Sequence, residues 1–488
     1  MVRPLVALLA AIVLGAAPLA AQDDITDLFN TGPFYDAAGV LRGKGDIIFY
    51  GDVSFLAGQG DSTQALLGIA LSNSSFQFLK QPDGYRAQYA VEVRAKGDRG
   101  SFENTWSETV QVKTFDETII DRETIVFQSA FSLLPGTYDL ELTVRDAQSG
   151  ETSESDSKLE VPALTPGAGW ALSDPVLLRF YDTAASGSDR NHVLYPSHYY
   201  ALAPDAVTFF VEVYAPAGAP GDQPLKLAAS IAPDGGGAAI SSTTLDVPSL
   251  EGSSARVYGS VPGTGMQSGI YRLDLQLQDA GGTKLAESSA KISVSAVTQW
   301  VESHWKEAME LVAYEASKNE RKQLEEAPPG QRLQAWNEFW RVRDPVPATP
   351  GNEAFESYFQ RLAVANAHFG TKLRPGWKSD RGQVYVTLGP PSDVIRRPLQ
   401  PNTFPIEVWR YDPQNFEIVF EDRIGFGNYQ MVNPGVFTNE LAALQRRKER
   451  AIEQRREAER QGQTGNTSPN VPQPAAPADS TAPQNQAG

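Results

Sequence analysis

The sequence predicts a multidomain chain: two tandem all-β sandwiches, then a C-terminal α+β domain in which helices precede a short antiparallel sheet. Three observations predict it. Between about residues 45 and 296, runs rich in Val, Ile, Thr, Tyr and Phe alternate apolar and polar residues, and clusters of Gly, Asp, Asn and Ser interrupt them. Within that stretch one strand pattern recurs, with Tyr138 and Tyr271 at its matching positions. After about residue 297 the apolar spacing becomes helical. The chain's 488 residues allow three or four folded units, and 41% hydrophobic content gives each a core.

The opening residues MVRPLVALLAAIVLGAAPLAAQDD set Arg3 before an apolar run over 5–17, then small residues, then Asp23 and Asp24. That order is a bacterial-type secretory signal over 1–21, with cleavage expected after Ala20 or Ala21. An uncleaved anchor is the alternative, since a spanning helix needs about 17 residues; Pro18 opposes it. No later stretch approaches about 18 consecutive apolar residues, so no transmembrane span is expected after signal cleavage. The expected location is outside the cytoplasm: periplasmic, cell-surface or secreted.

A lead segment over 22–44 precedes the first sandwich, expected at 45–163, and the second, expected at 170–296; Pro162 to Gly169 supplies a Pro/Gly linker. In the repeat, Tyr138, Leu140, Leu142 and Val144 match Tyr271, Leu273, Leu275 and Leu277, and Leu159 and Val161 match Ile292 and Val294 at the same offset. Upstream, residues 90–93 are similar to residues 210–213 at a shorter offset. Alternation places the Tyr and Leu side chains on one strand face. The pattern resembles the late strand of an immunoglobulin-like sandwich, where a Tyr packs inward and bonds nearby backbone. Tyr138 and Tyr271 are therefore expected in cores, with carbohydrate stacking as the other use of such rings.

The α+β domain is expected over 297–436. Val301, Trp305, Ala308, Val312 and Ala316 fall at helical spacing within 298–327; a second helix carries Leu333, Trp336 and Trp340, and a third, over 353–369, carries Phe355, Phe359, Leu362, Ala365 and Phe369. Short strands are expected at 383–388, 406–411, 416–421 and 429–432. A charge-laced, solvated helix follows over 437–460, and the Gln, Asn, Pro, Ala, Ser and Thr composition of 461–488 predicts a disordered tail.

Gly376, Trp377, Ser379, Asp380 and Arg381, followed by Gly389, Pro390 and Pro391, form the most distinctive block. Phe339, Trp340, Arg343 and Asp344 stand before it, and Glu407, Trp409, Tyr411 and the Gly425 to Tyr429 run stand after it. Together these blocks resemble the GWxTD domain of exported bacterial proteins over about 300–435, with Ser379 where the family name has Thr. The resemblance implies location more than chemistry, because the family is defined by sequence and has no established activity. From the residues, the block reads as a rigid turn docking helices on the sheet, with Trp377 as anchor and Ser379 or Asp380 accepting backbone N–H bonds. The alternative makes it one wall of a binding cleft in which Trp377, Asp380 and Arg381 touch a ligand, with Trp409 a further candidate of the motif.

Other chemistry is sparse. The net charge of −17 lacks the attraction to phosphate that nucleic-acid binding requires. Zero Cys excludes disulfides, Cys-ligated metals and Cys nucleophiles, and only four His remain. His192 and His198 sit beside Pro196 at no metal-binding spacing, and Asp61 lies outside any EF-hand pattern. No nucleophile elbow or phosphate-binding loop occurs. No cofactor and no metal are therefore expected. The sequence favours an exported, non-enzymatic scaffold or interaction protein of the cell envelope, its partners being envelope proteins or glycans. The competing readings are a hydrolase using Asp380, Asp393, Glu407 or Asp422, and a glycan-binding module with a cleft near Trp377.

Overall fold

The structure, a computed structural model, describes residues 32–45, 47–113, 118, 123–181, 192–200, 202–295, 297–344, 352–371, 374–397, 404–411, 415–425 and 427–460. The expected export signal and the expected tail lie outside the described residues. The N-terminal region is built mostly of strands in several sheets, and the C-terminal region is rich in helices.

In the first β unit, Phe49–Ala57, Thr63–Ser72 and Glu123–Leu133 pair in that order. A second sheet runs Thr152–Val161, Gly136–Asp146, Gly84–Gly97, Gly100–Val112. One core joins both, with Phe49, Leu67 and Phe127 from one sheet and Val91, Val93 and Leu140 from the other. Period-two alternation drives this: Tyr138, Leu140, Leu142 and Val144 are buried along one strand while Asp139 and Glu141 are exposed. The second β unit repeats the strand order, with Val176–Tyr181, Ala206–Tyr214 and Ser254–Pro262 in one sheet and Lys284–Val294, Gly269–Gln278, Lys226–Pro233 and Ser241–Asp246 in the other.

The long repeat is therefore structural. Leu159 opposes Tyr138, and Ile292 opposes Tyr271. Both rings are buried, and each hydroxyl donates to the carbonyl four residues upstream, Leu134 at 3.0 Å and Gln267 at 2.9 Å. Tyr271 Oη also accepts from the Gln267 N–H at 2.8 Å. Tyr138→Phe should lose about 1 kcal/mol in thermal denaturation. Tyr271→Phe should lose up to about 3 kcal/mol, because it strands a backbone donor as well. The match between 90–93 and 210–213 is a coincidence of two alternating apolar strands. Residues 90–93 lie beside the Tyr138 strand, whereas 210–213 lie in the sheet facing the Tyr271 strand.

The two units share a joint. Leu56 packs with Val176, Leu178, Leu194 and Phe210. The Phe55 N–H donates to Asp174 Oδ2 at 2.9 Å, the Asp174 N–H donates to the Phe55 carbonyl at 3.0 Å, and the Ala57 N–H donates to Tyr214 Oη at 2.7 Å. His198, buried with a left-handed backbone (φ 50°), sets Nδ1 3.0 Å from the Lys291 carbonyl and Nε2 3.6 Å from Asp52. Burial alone would raise the Asp52 carboxyl, but His198 and the Ser54 hydroxyl bring it below its ordinary value. Burial pushes Asp174 up to about 6, and the nearby Asp52 charge adds to that shift while the Phe55 N–H opposes it.

Helix α1, Gly32–Ala38, ties the chain's start to later elements. Tyr35 stacks on Tyr50 at 3.9 Å and tilts against Tyr199 at 5.0 Å, and Tyr35 and Val40 enter the core of the helical layer. Leu41–Arg42 and Lys44–Gly45 then pair with one sheet each of the first unit.

The helical layer contains α2 (Val297–Ser303), α3 (Trp305–Leu311), α4 (Lys318–Glu325), α5 (Arg332–Arg341) and α6 (Glu353–Phe369). The helix expected over 298–327 is thus broken twice. His304 takes a non-helical backbone (φ −122°, ψ 45°), and Ser317 with Glu320 forms a reciprocal capping box that starts α4. Trp300, Trp305, Trp336, Trp340, Phe355 and Phe359 share one core.

The sheet beyond runs Asp393–Arg397, Ile406–Tyr411, Phe416–Glu421, Gln430–Met431. Residues 383–388, expected as a strand, instead lie in helix α7, Asp380–Leu388. Val384, Tyr385, Val386, Thr387 and Leu388 look like a strand in isolation, but Ser379 caps the helix start and Gly389 (φ 81°) closes its end. The 393–397 strand escaped the periodicity reading, and the strand expected at 429–432 is only two residues long. Helix α8, Pro434–Arg460, starts earlier than expected and is not wholly solvated. Phe437 enters the sheet's core, Ile452 is buried, and Lys448 pairs with Glu315. Among the described residues no helix is long and apolar enough to cross a membrane.

Candidate functional site

Each position of the Gly376 block has a definite task. Gly376 lies against the backbone of α6, where an added Cβ would sit 1.9 Å from the Ala365 carbonyl oxygen, and its N–H donates to Asn366 Oδ1 at 2.9 Å. Only a residue without a side chain allows that approach. Trp377 is 4% exposed and meets Tyr314 edge-on at 6.3 Å, with Lys378 Nζ 4.8 Å over its ring. Ser379 Oγ donates to the Gly376 carbonyl at 2.6 Å and accepts the Gly382 N–H at 3.0 Å, so the hydroxyl is the N-cap of α7. Either Ser or Thr supplies that oxygen. Gly382 is a second close approach, its missing Cβ falling 1.9 Å from the Gly376 carbonyl oxygen.

Asp380 stands in the first turn of α7, where a carboxylate suits the helix dipole, and it accepts the Met431 N–H at 2.8 Å. It thereby fastens the short 430–431 strand to the helix, while Arg374 stands 3.9 Å away. Arg381 donates to Glu407 at 2.9 Å and to the Gly427 carbonyl at 3.2 Å, and its guanidinium lies over the rings of Phe369 and Tyr429. Trp409 is buried between Phe369, Tyr385 and Phe420. The Gly389 carbonyl accepts from Tyr411 Oη at 3.1 Å, and Pro390 and Pro391 carry the chain from α7 to the 393–397 strand.

The acids proposed for hydrolysis are spread over separate contacts. Glu407 is buried against Arg381, with Arg396 at 3.5 Å. Asp422, also buried, accepts the N–H groups of Ile424, Gly425 and Gly427 and so shapes the turn after the 416–421 strand. Asp393 is exposed, 3.9 Å from Arg410. Asp380 is thus engaged with Met431 and Arg374, and Arg381 with Glu407 and Gly427. Among the described residues no group of three or more His, Asp or Glu side chains is placed to hold a metal ion.

Beside Trp377, where the alternative reading set a cleft, the surface dips into a shallow depression of about 350 Å³, and Asp380, Arg381 and Trp409 are not in its lining. Glu310, Tyr314, Arg321, Arg374, Lys378 and Gln383 line it with Trp377 and Ala313. Lys378 pairs with Glu310 at 2.7 Å, and this contact holds the Glu310 carboxyl below its ordinary value. Burial pushes the Tyr314 phenol up to about 12. Each cation of the lining has an acidic neighbour: Lys378 has Glu310, Arg321 pairs with Glu325 at 2.8 Å, and Arg374 stands 3.9 Å from Asp380. Its parts come from α3 and the turn that follows it, α4, residues 374–378 and α7, and no single stretch of sequence brings them together.

The family model described as the GWxTD domain matches residues 285–447. No curated protein matches the chain. Solved structures with some likeness include red sea bream transglutaminase, at 12% identity over 50% of this chain and 31% of that one, with a TM-score of 0.15. Another is Bifidobacterium dentium beta-glucuronidase complexed with coumarin-3-O-glucuronide, at 10% identity over 48% of this chain and 39% of that one, with a TM-score of 0.18. The chain spans under two fifths of the length of each. The family match falls on the helical layer, the Gly376 block and the four-stranded sheet, and the chain is a GWxTD domain-containing protein.

Proposed function

We propose that this chain is an exported, non-enzymatic scaffold or interaction protein of the bacterial cell envelope, in which two immunoglobulin-like sandwiches carry a GWxTD domain. The observation that carries the proposal is that every named position of the motif serves packing or capping. Gly376 and Gly382 permit close backbone contact, Trp377 fills a core, Ser379 caps α7 and Asp380 holds Met431. The neighbouring acids are likewise engaged with Arg side chains or backbone donors, which leaves no converging pair for acid–base work among the described residues. The shared strand order of the two β units and the matched Tyr138 and Tyr271 bonds support the immunoglobulin-like reading. The signal-like residues 1–21 support export. Envelope proteins or glycans are the proposed partners.

A second reading, a module for acidic glycans, is favoured by the three cationic side chains, Arg321, Arg374 and Lys378, that line the depression beside Trp377. One set of measurements separates the possibilities. Purified protein is offered panels of glycoside, ester and peptide substrates, and then an array of neutral and carboxylate-bearing glycans. The scaffold reading expects no turnover and no acidic-glycan retention that depends on Lys378 or Arg374. Turnover that disappears in a folded Asp380→Asn or Glu407→Gln variant would establish the hydrolase. Retention of acidic glycans that is lost in Lys378→Ala and Arg374→Ala would establish the second reading.

A further inference from the structure

The Asp393–Arg397 strand is an edge: among the described residues its one hydrogen-bonded neighbour is Ile406–Tyr411. Its register runs unbroken from Asp393 opposite Arg410 to Arg397 opposite Ile406, and it contains no Pro. Such an edge presents free backbone donors and acceptors to another strand. The opposite edge of the sheet is different, being two residues long with its Met431 N–H already given to Asp380.

The edge is also complementary to itself. It reads Asp393, Val394, Ile395, Arg396, Arg397, acidic at one end and basic at the other. An antiparallel copy centred on Ile395 sets Asp393 opposite Arg397 of the other copy, and the two-fold axis repeats the pair. Both charges have capacity for it. Among the described residues Asp393 has only the 3.9 Å ion-pair contact with Arg410, which Glu417 already holds at 2.7 Å, and Arg397 is exposed and makes no ion pair.

The same register aligns an apolar row. Ile395 opposes Val408, Val408 opposes Val419, and the Val432 N–H donates to the Val419 carbonyl at 2.7 Å. Alternation puts this row on the face away from Trp409, Ile418 and Phe420. Ile395 and Val419 are half-buried, and Val432 is 50% exposed. Directly opposed residues share a face, so pairing Ile395 with its own copy continues the row across the axis. Because the contact is isologous, it closes on a dimer and leaves no further edge of the same kind.

We propose that the chain self-associates by antiparallel pairing of the 393–397 strand with the same strand of a second copy, on a two-fold axis at Ile395. The absence of native Cys makes the test direct. Ile395→Cys should give a covalent dimer on mild oxidation, since opposed Cβ atoms lie about 5 Å apart. Val419→Cys, two strands from the axis, should give none, since its copy stands beyond the about 7 Å limit for Cα atoms joined by a disulfide. In sedimentation equilibrium, Asp393→Arg and Arg397→Asp should each weaken the dimer about tenfold or more, and the double variant should restore it. Circular dichroism should show all these variants folded, since Asp393 and Arg397 are exposed and Cys replaces half-buried Ile395 and Val419 with a smaller side chain. A chain that stays monomeric to about 1 mM, equal cross-linking at 395 and 419, or a dimer indifferent to both charge reversals would overturn the proposal.

Discussion

Trp377→Ala should lower stability by about 3–5 kcal/mol, the range for removing a large aromatic side chain from a core. The ring is 4% exposed and joins the cluster holding Trp305, Trp336, Trp340 and Leu362. The backbone around it has little room to collapse into the space left behind. Gly376 touches the α6 backbone on one side, Gly382 touches the Gly376 carbonyl on the other, and Ser379 ties both ends of the turn. The loss should therefore fall near the top of that range, and Trp377→Phe should recover part of it. Thermal and denaturant unfolding of the helical region is the measurement. An alanine variant with wild-type unfolding would show that the ring is not an anchor and would return the turn to the cleft reading.

The second large effect is a gain. Asp174 is pushed up to about 6 by burial from an ordinary 3.8, so the folded joint retains a proton that the unfolded chain has released. Where the folded state binds more protons, stability falls as pH rises. Asp174 therefore leaves stability intact below about pH 4 and reduces it progressively up to about pH 6. At about 1.4 kcal/mol per pH unit this reaches at most about 3 kcal/mol, and the carboxyl's partial contact with water reduces it. Asp174→Asn keeps an oxygen for the Phe55 N–H and removes the charge. The variant should match wild type near pH 4 and exceed it at pH 7. Asp52 acts in the opposite direction: its carboxyl lies below the ordinary value, so its contribution is lost only as pH falls further. Because His198 touches Asp52, the difference between variant and wild type isolates Asp174 where a single curve would not. Parallel curves, or an Asn variant weaker at pH 7, would remove the buried charge from the account.

Local patterning made much of this molecule legible. The alternation through Tyr138 and Tyr271 announced inward-facing strands, and both hydroxyls bond backbone as the repeated pattern implied. The helical spacing of Trp336 and Trp340, and of Phe355, Phe359 and Leu362, marked the faces that meet in the helical core. Where reading failed, two local signals conflicted. The β-branched residues of 383–388 suggest a strand, yet the Ser379 cap, the acidic first turn and Gly389 mark a helix, and those end signals prevailed. The break before α4 was announced by the Ser317 and Glu320 spacing.

Sequence alone determined the division into a strand-rich and a helix-rich region, the inward faces of most elements, and the motif's identity, because these depend on the spacing of neighbouring residues. Tertiary structure alone decided that Asp380 holds Met431, that Arg381 pairs with Glu407, that Tyr35 closes a core some 270 residues further on, and that Arg321, Arg374 and Lys378 line a depression beside Trp377. Those contacts join residues far apart in the chain, and a charge or ring gains its partner only once packing has chosen which surfaces meet.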